Sequence, residues 1–156
     1  MRQVLITGGG SGIGRAVAQD FAAKGDSVTI AGRRMDALEE TNAKGDMRCM
    51  QVDVTDEASV RALFDTGYDV VVANAGAGYA MPVADMPLQV WNDTLSVNLT
   101  GVFLTFRAAL ADMKPGGCLV WCGHWPSKLP VAGSPAMRCA PALSILPWLM
   151  ARCVMS

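Results

Sequence analysis

The chain has 156 residues, of which 51% are hydrophobic and 17% charged, with a net charge of −1. This length suits one domain with a sizeable core, and the absence of a basic patch argues against a nucleic-acid partner. There is no run of about 18 uncharged apolar residues and no apolar leader at the start, so we expect no membrane span and a cytoplasmic location.

Predicted strands and helices alternate along the chain up to about residue 123. Short apolar, β-branched runs predict strands over 2–7, 27–32, 47–54, 68–76 and 116–123. Apolar residues at helical spacing predict helices over 11–25, 34–45, 56–67 and 87–113. This alternation predicts a parallel sheet with helices on both faces, a three-layer α/β/α arrangement within a single domain over 1–156.

A glycine-rich loop, TGGGSGIG, joins the first predicted strand to the first helix. Glycine permits tight turns and close approach of a phosphate, and the following helix offers free N–H groups to a pyrophosphate. The loop therefore predicts a Rossmann-like doubly wound fold that binds a dinucleotide. Its candidate cofactor-binding residues are Thr7, Gly8, Gly10, Ser11, Gly12, Ile13 and Gly14.

With this loop and three later motifs the chain resembles the short-chain dehydrogenase/reductase family over about residues 1–123. The later motifs are VDV at 52–54, NAG at 74–76 and VNLTGVF at 97–103, in the family's order. The resemblance implies an oxidoreductase that transfers hydride between a nicotinamide and a carbonyl or alcohol. It also implies an adenine contact at Asp53 and Val54, a cofactor-lining backbone at Asn74, Ala75 and Gly76, and the catalytic asparagine at Asn98.

The end of the second predicted strand indicates which nicotinamide cofactor is used. NAD sites carry a carboxylate there, whereas an arginine accommodates the 2′-phosphate of NADP. Here the sequence reads AGRR, with Gly32 followed by Arg33 and Arg34. NADP(H) is therefore favoured over NAD(H), although a solvated arginine pair is an alternative.

The family's remaining catalytic groups are missing from this chain. In the family a serine positions the substrate oxygen, a tyrosine transfers the proton, and a lysine four residues later lowers the pKa of the tyrosine. Aligning LVWCGH with the family's fifth strand places His124, Met137 and Pro141 at these positions. We therefore expect impaired catalysis. His124 remains an alternative proton donor.

The composition changes abruptly after Asp112. All 14 acidic residues lie at or before it, whereas the remaining 44 residues hold four of the five cysteines and a net charge of +4. One hypothesis is a family member truncated or rewritten by a reading-frame shift between about Met113 and Met137, with 124–156 as an atypical tail. The alternative is a non-catalytic NADP-binding or regulatory partner protein.

Two further expectations concern metals and assembly. The sequence lacks the four-ligand spacing of a closed metal site, because Cys118 and Cys122 have no second pair nearby. We therefore expect no metal. The family resemblance implies a homo-oligomer formed through the fourth predicted helix and a small-molecule substrate.

Overall fold

A computed structural model describes residues 1–113 and 116–122, and these contain five strands in one sheet. The strands are β1 (Gln3–Thr7), β2 (Ser27–Gly32), β3 (Met47–Gln51), β4 (Val70–Ala73) and β5 (Cys118–Trp121). The helices are α1 (Gly12–Ala23), α2 (Met35–Thr41), α3 (Glu57–Arg61), α4 (Leu88–Leu95) and α5 (Gly101–Asp112). All neighbouring strands are parallel, in the order β3-β2-β1-β4-β5.

Helices cover both faces of this sheet. On one face Ile6 of β1 packs with Phe21 of α1 and Leu38 of α2. On the other face Leu5 packs in one cluster with Leu104 of α5. Neither Leu5 nor Ile6 has solvent-exposed surface, because β1 lies at the centre of the sheet. The predicted Rossmann-like, doubly wound α/β class is confirmed.

Helix α2 is shorter than the predicted helix over 34–45 because a side chain competes for the backbone. The amide of Asn42 donates to the carbonyl of Met47 (2.8 Å) and accepts from the N–H of Met47 (2.8 Å). Gly45 then turns the chain at φ +73°. Such local side-chain bonds end a helix that the apolar spacing alone would prolong.

Strand β3 likewise ends at Gln51, three residues before the predicted end at 54. Asp53 turns the chain because its carboxylate accepts from the N–H (2.9 Å) and the hydroxyl (2.7 Å) of Thr55. Asp56 then caps α3 by accepting from the N–H groups of Ala58 and Ser59. These turns free Asp53 from the sheet and place it at the carboxyl edge.

The long helix predicted over 87–113 is one helical run, Leu88–Asp112, with a π-helical turn at Ser96–Thr100 between α4 and α5. By its length and composition this run could cross a membrane. The indication is weak, because the core helices of soluble proteins can pass the same test. Its inward residues Leu104, Thr105 and Ala109 are buried in the fold.

Candidate functional site

The sheet order reverses at β1, which has β2 on one side and β4 on the other. The loops after β1 and β4 diverge at this point, where open α/β sheets bind their ligands. A cleft of about 470 Å³ opens there. Nine of the predicted cofactor-binding residues line it: Gly8, Gly10, Ser11, Arg33, Arg34, Asp53, Val54, Ala75 and Gly76.

The glycine loop is held against β2 and packed tightly against α1. The N–H of Gly8 donates to the carbonyl of Ala31 (2.7 Å), and Gly8 has a φ of +69°. A Cβ on Gly14 would lie 2.3 Å from the carbonyl oxygen of Gly8 and 2.5 Å from Nδ2 of Asn74. Gly14 therefore packs directly against the glycine loop, because only a residue without a side chain lets α1 start this close to Gly8.

The NAG segment is bonded directly to the glycine loop. The hydroxyl oxygen of Thr7 accepts from the N–H groups of Asn74 and Ala75, both at 3.1 Å. The Asn74 side chain donates to the carbonyls of Thr7 and Gly8, both at 3.2 Å. These bonds also end β4 at Ala73, before the predicted end at 76. Thr7 and Asn74 thus shape the cleft without lining it.

The two arginines after β2 stand on the other wall of the cleft. Gln51 at the end of β3 donates from Nε2 to the carbonyl of Arg33 (3.0 Å), and Arg34 immediately precedes α2. The N–H of Val52 donates to the carbonyl of Gly32 (3.0 Å), so the backbone here is held by β3. Arg33 and Arg34 line the same cleft as the glycine loop.

Asp53 supplies a carboxylate to the same cleft. Hydrogen bonds from the N–H and the hydroxyl of Thr55 hold the pKa of Asp53 below its ordinary value, with a smaller effect from the nearby charge of Arg33. Asp53 is therefore ionised at neutral pH. A charged acceptor at this position can receive hydrogen bonds from a bound ligand.

Asn98 lies in the π-helical turn, and its side chain makes two hydrogen bonds to the loop that follows the NAG segment. Its Oδ1 accepts from the N–H of Ala77 (2.7 Å), and its Nδ2 donates to the carbonyl of Ala77 (2.8 Å). The side chain of Asn98 therefore positions the loop. Isolated π turns are frequent at functional sites, and a catalytic role for Asn98 stays a prediction.

The chain's two tyrosines differ sharply in their surroundings. Tyr68 is 1% exposed, and its hydroxyl donates to the carbonyl of Leu63 (3.0 Å), so it is a core residue. Tyr79 is exposed, in the loop that follows β4. Burial raises the pKa of the Cys122 thiol just after β5, which disfavours the nucleophilic thiolate.

Among the described residues no group of three metal-ligating side chains forms.

A family model of short chain dehydrogenases matches residues 2–133. The chain belongs to the short chain dehydrogenase family. The chain is 37% identical over 123 residues to an NADP-dependent (R)-specific alcohol dehydrogenase of Lentilactobacillus kefiri, covering 72% of this chain and 49% of that protein. It is 35% identical over 133 residues to a short chain dehydrogenase/reductase of Macrophomina phaseolina, covering 74% and 76%.

Solved structures of the family have the same fold. An alcohol dehydrogenase from the archaeon Thermococcus sibiricus, complexed with 5-hydroxy-NADP, matches with a TM-score of 0.72 and 30% identity, over 78% of this chain and 57% of that one. A short chain dehydrogenase from Burkholderia cenocepacia in complex with NADP matches with a TM-score of 0.68 and 31% identity, over 77% and 54%. The chain spans about half the length of these structures and of the L. kefiri relative.

The family binds nicotinamide cofactors, and the cleft is the candidate site for one in this chain. Gly12 and Ile13 lie at the start of α1 outside the cleft lining, and Ile13 is half exposed. Val97, in the π-helical turn, also lines the cleft and was not among the predicted residues. The predicted positions His124, Met137 and Pro141 lie outside the described residues.

Proposed function

We propose that this chain binds NADP(H) in preference to NAD(H), in the cleft between the glycine loop and Arg33–Arg34. The observation that carries the proposal is that the positive charges of Arg33 and Arg34 have no ion-pair partner in the described part of the chain. Six of the nine basic side chains in 1–113 form ion pairs within the described part of the chain, and Arg33 and Arg34 are not among them. Two unpaired guanidinium groups suit a phosphate dianion, which accepts charge-assisted hydrogen bonds.

The residues present also fit the rest of the cofactor. The glycine loop lines the cleft with Gly8, Gly10 and Ser11, where a pyrophosphate can approach the backbone closely, and Asp53 presents an ionised acceptor near Arg33. Gly32 leaves the end of β2 without the carboxylate that would repel a 2′-phosphate. The similarity to an NADP-dependent alcohol dehydrogenase and to a short chain dehydrogenase solved in complex with NADP supports the same preference.

Two fragments of the cofactor test this preference. Adenosine 2′,5′-bisphosphate is expected to bind at least about tenfold more tightly than 5′-AMP, since each charge-assisted phosphate bond contributes about 1.5–3 kcal/mol. Isothermal titration at two salt concentrations measures both, and the advantage should shrink at high salt. Equal affinities would contradict the proposal.

We further infer an oxidoreductase lineage whose activity this chain has lost or reduced. NADP(H), when bound, supplies hydride chemistry at its nicotinamide ring. This chain's residues bind and orient the adenosine and pyrophosphate portions, whereas the family's proton-donating tyrosine aligns with Met137. Tyr68 cannot replace it because it is buried and bonded to Leu63. A non-catalytic NADP-binding or regulatory role is the second candidate.

The expected result is no oxidation of NADPH by a panel of aldehydes and ketones under conditions where NADPH binding is saturated. The absorbance of NADPH follows the reaction, and His124→Ala serves as the comparison variant. Turnover by the parent chain that this substitution abolishes would contradict the inference and identify His124 as a substitute acid.

An apolar stripe along the outer side of α4 and α5 supports a homo-oligomer. The stripe consists of exposed side chains at spacings of three, four or seven residues: Leu88, Trp91, Leu95, Leu99, Phe103 and Leu110. Exposed apolar surface of this extent is typical of protein–protein contacts.

Phe103→Glu is expected to shift the molecular mass of the chain in solution from a multiple of 16.5 kDa to 16.5 kDa. A charge in the centre of an apolar interface costs the desolvation free energy of an unpaired carboxylate. Light scattering after gel filtration measures the mass. Val83→Glu, at an exposed position in the turn before α4, is the control. A parent chain that is already a monomer would contradict the proposal.

A further inference from the structure

Arg15, in the first turn of α1, bridges the two walls of the cleft. Its Nη2 donates to the carbonyl of Gly10 in the glycine loop (2.8 Å). Its Nε donates to the hydroxyl of Thr41 at the end of α2 (3.1 Å), and its Nη1 pairs with Glu40 (2.9 Å). One planar guanidinium thus ties the loop to α2 with three separate bonds.

Both ends of this bridge are fixed in place. Thr41 is buried, and its hydroxyl donates to the carbonyl of Ala37 (3.0 Å), which orients the oxygen that receives Arg15. A Cβ on Gly10 would lie 3.1 Å from Cβ of Ala37, so the loop already touches α2 at this point. Arg15 therefore adds hydrogen bonds to a contact that the glycine loop and α2 already make through Gly10 and Ala37.

Helix α2 in turn carries the segment with the two unpaired arginines. Arg34 immediately precedes α2, and the carbonyl of Arg34 accepts from the N–H of Leu38 (3.3 Å) inside its first turn. A shift of α2 relative to the glycine loop would change the separation between the pyrophosphate-binding loop and the 2′-phosphate-binding wall. The cofactor must span that separation.

We infer that Arg15 is a positioning residue that sets this separation and thereby controls the preference for NADPH over NADH. The inference rests on the proposed function. Arg15 is not itself a phosphate ligand, because its donors are directed at protein acceptors and Glu40 offsets its charge. Lysine cannot replace it, since an ammonium on a single stem cannot reach three acceptors on two elements.

Dissociation constants for NADPH and NADH, with the Tm of the free protein, test the inference in matched variants. Arg15→Met is expected to weaken NADPH binding about tenfold and NADH binding less, so that the preference falls. Arg15→Lys should recover little of it. Arg48→Met removes an exposed ion pair with Asp65 remote from the cleft and should leave the preference unchanged.

Thr41 provides a second test that leaves the arginine in place. Thr41→Val removes the acceptor at nearly constant shape and should lower the preference, whereas Thr41→Ser keeps the hydroxyl and the preference. Glu40→Gln separates the inference from direct phosphate binding, because releasing Arg15 toward a phosphate would strengthen NADPH binding and overturn the inference. An Arg15→Met variant with the parent's preference would overturn it alone, whereas a parent chain without any preference would overturn the proposed function as well.

Discussion

Gly14→Ala is expected to weaken NADPH binding at least about 100-fold. The new methyl group would lie 2.3 Å from the carbonyl oxygen of Gly8 and 2.9 Å from its carbonyl carbon, so the loop or α1 must move. Gly8 cannot yield freely, since its N–H is bonded to Ala31 and its φ of +69° is already that of a tight turn. Overpacking of this kind costs about 1–3 kcal/mol or more, and here the displaced atoms belong to the proposed pyrophosphate site.

Gly25→Ala is the matched control for Gly14→Ala, measured by isothermal titration and thermal unfolding. Gly25 has a φ of +82° beyond the end of α1, and a Cβ there would meet nothing within 4 Å. The control should lose about 1 kcal/mol of unfolding free energy from backbone strain and keep its NADPH affinity. A Gly14→Ala variant that binds NADPH within a few-fold of the parent would refute this account of the loop.

The double substitution Arg33→Ser with Arg34→Ser is expected to weaken NADPH binding about 100-fold and leave NADH binding within about threefold. Two charge-assisted bonds to a phosphate, at about 1.5–3 kcal/mol each, account for a loss of this size. Only NADPH carries the 2′-phosphate, so the two cofactors should converge in affinity.

The ratio of the two dissociation constants, measured by fluorescence titration, is the readout for this double variant. The double substitution Arg48→Ser with Arg61→Ser, which removes two exposed arginines outside the cleft, controls for the change in net charge. If NADPH and NADH lost affinity equally, the arginines would act on the shape of the cleft and not on the phosphate.

The strands and their order of appearance could be predicted because short apolar runs separated by helices leave few alternatives. β2 was predicted residue for residue, and β1 to within one residue. The helix predicted over 56–67 ends already at Arg61. Two other errors lie at ends set by single polar side chains, since Asn42 ends α2 early and Asp53 ends β3 early. Such bonds depend on the local backbone geometry, which the apolar pattern does not describe.

Long-range bonds explain what could not be predicted in the candidate site. The π-helical turn forms where Asn98 bonds Ala77, 21 residues earlier, so the helical spacing of the sequence gives no sign of it. The side chain of Asn74 donates to the carbonyls of Thr7 and Gly8, which lie 67 and 66 residues earlier, so the sequence pattern gives no sign of these bonds. Arg15 was not singled out, because its partners lie on a loop and on a second helix.

Titration of the 156-residue chain with NADPH, following fluorescence and thermal unfolding together, tests the central claim most directly. The claim is that the glycine loop, the NAG segment and the arginine wall form a complete site for the adenosine and pyrophosphate portions of NADP(H). The account predicts saturable binding and a rise in Tm, with about 2.7 kcal/mol of added stability at 100 times the Kd. A chain that shows no saturation with NADPH, or no change in Tm at saturating concentrations, would contradict it.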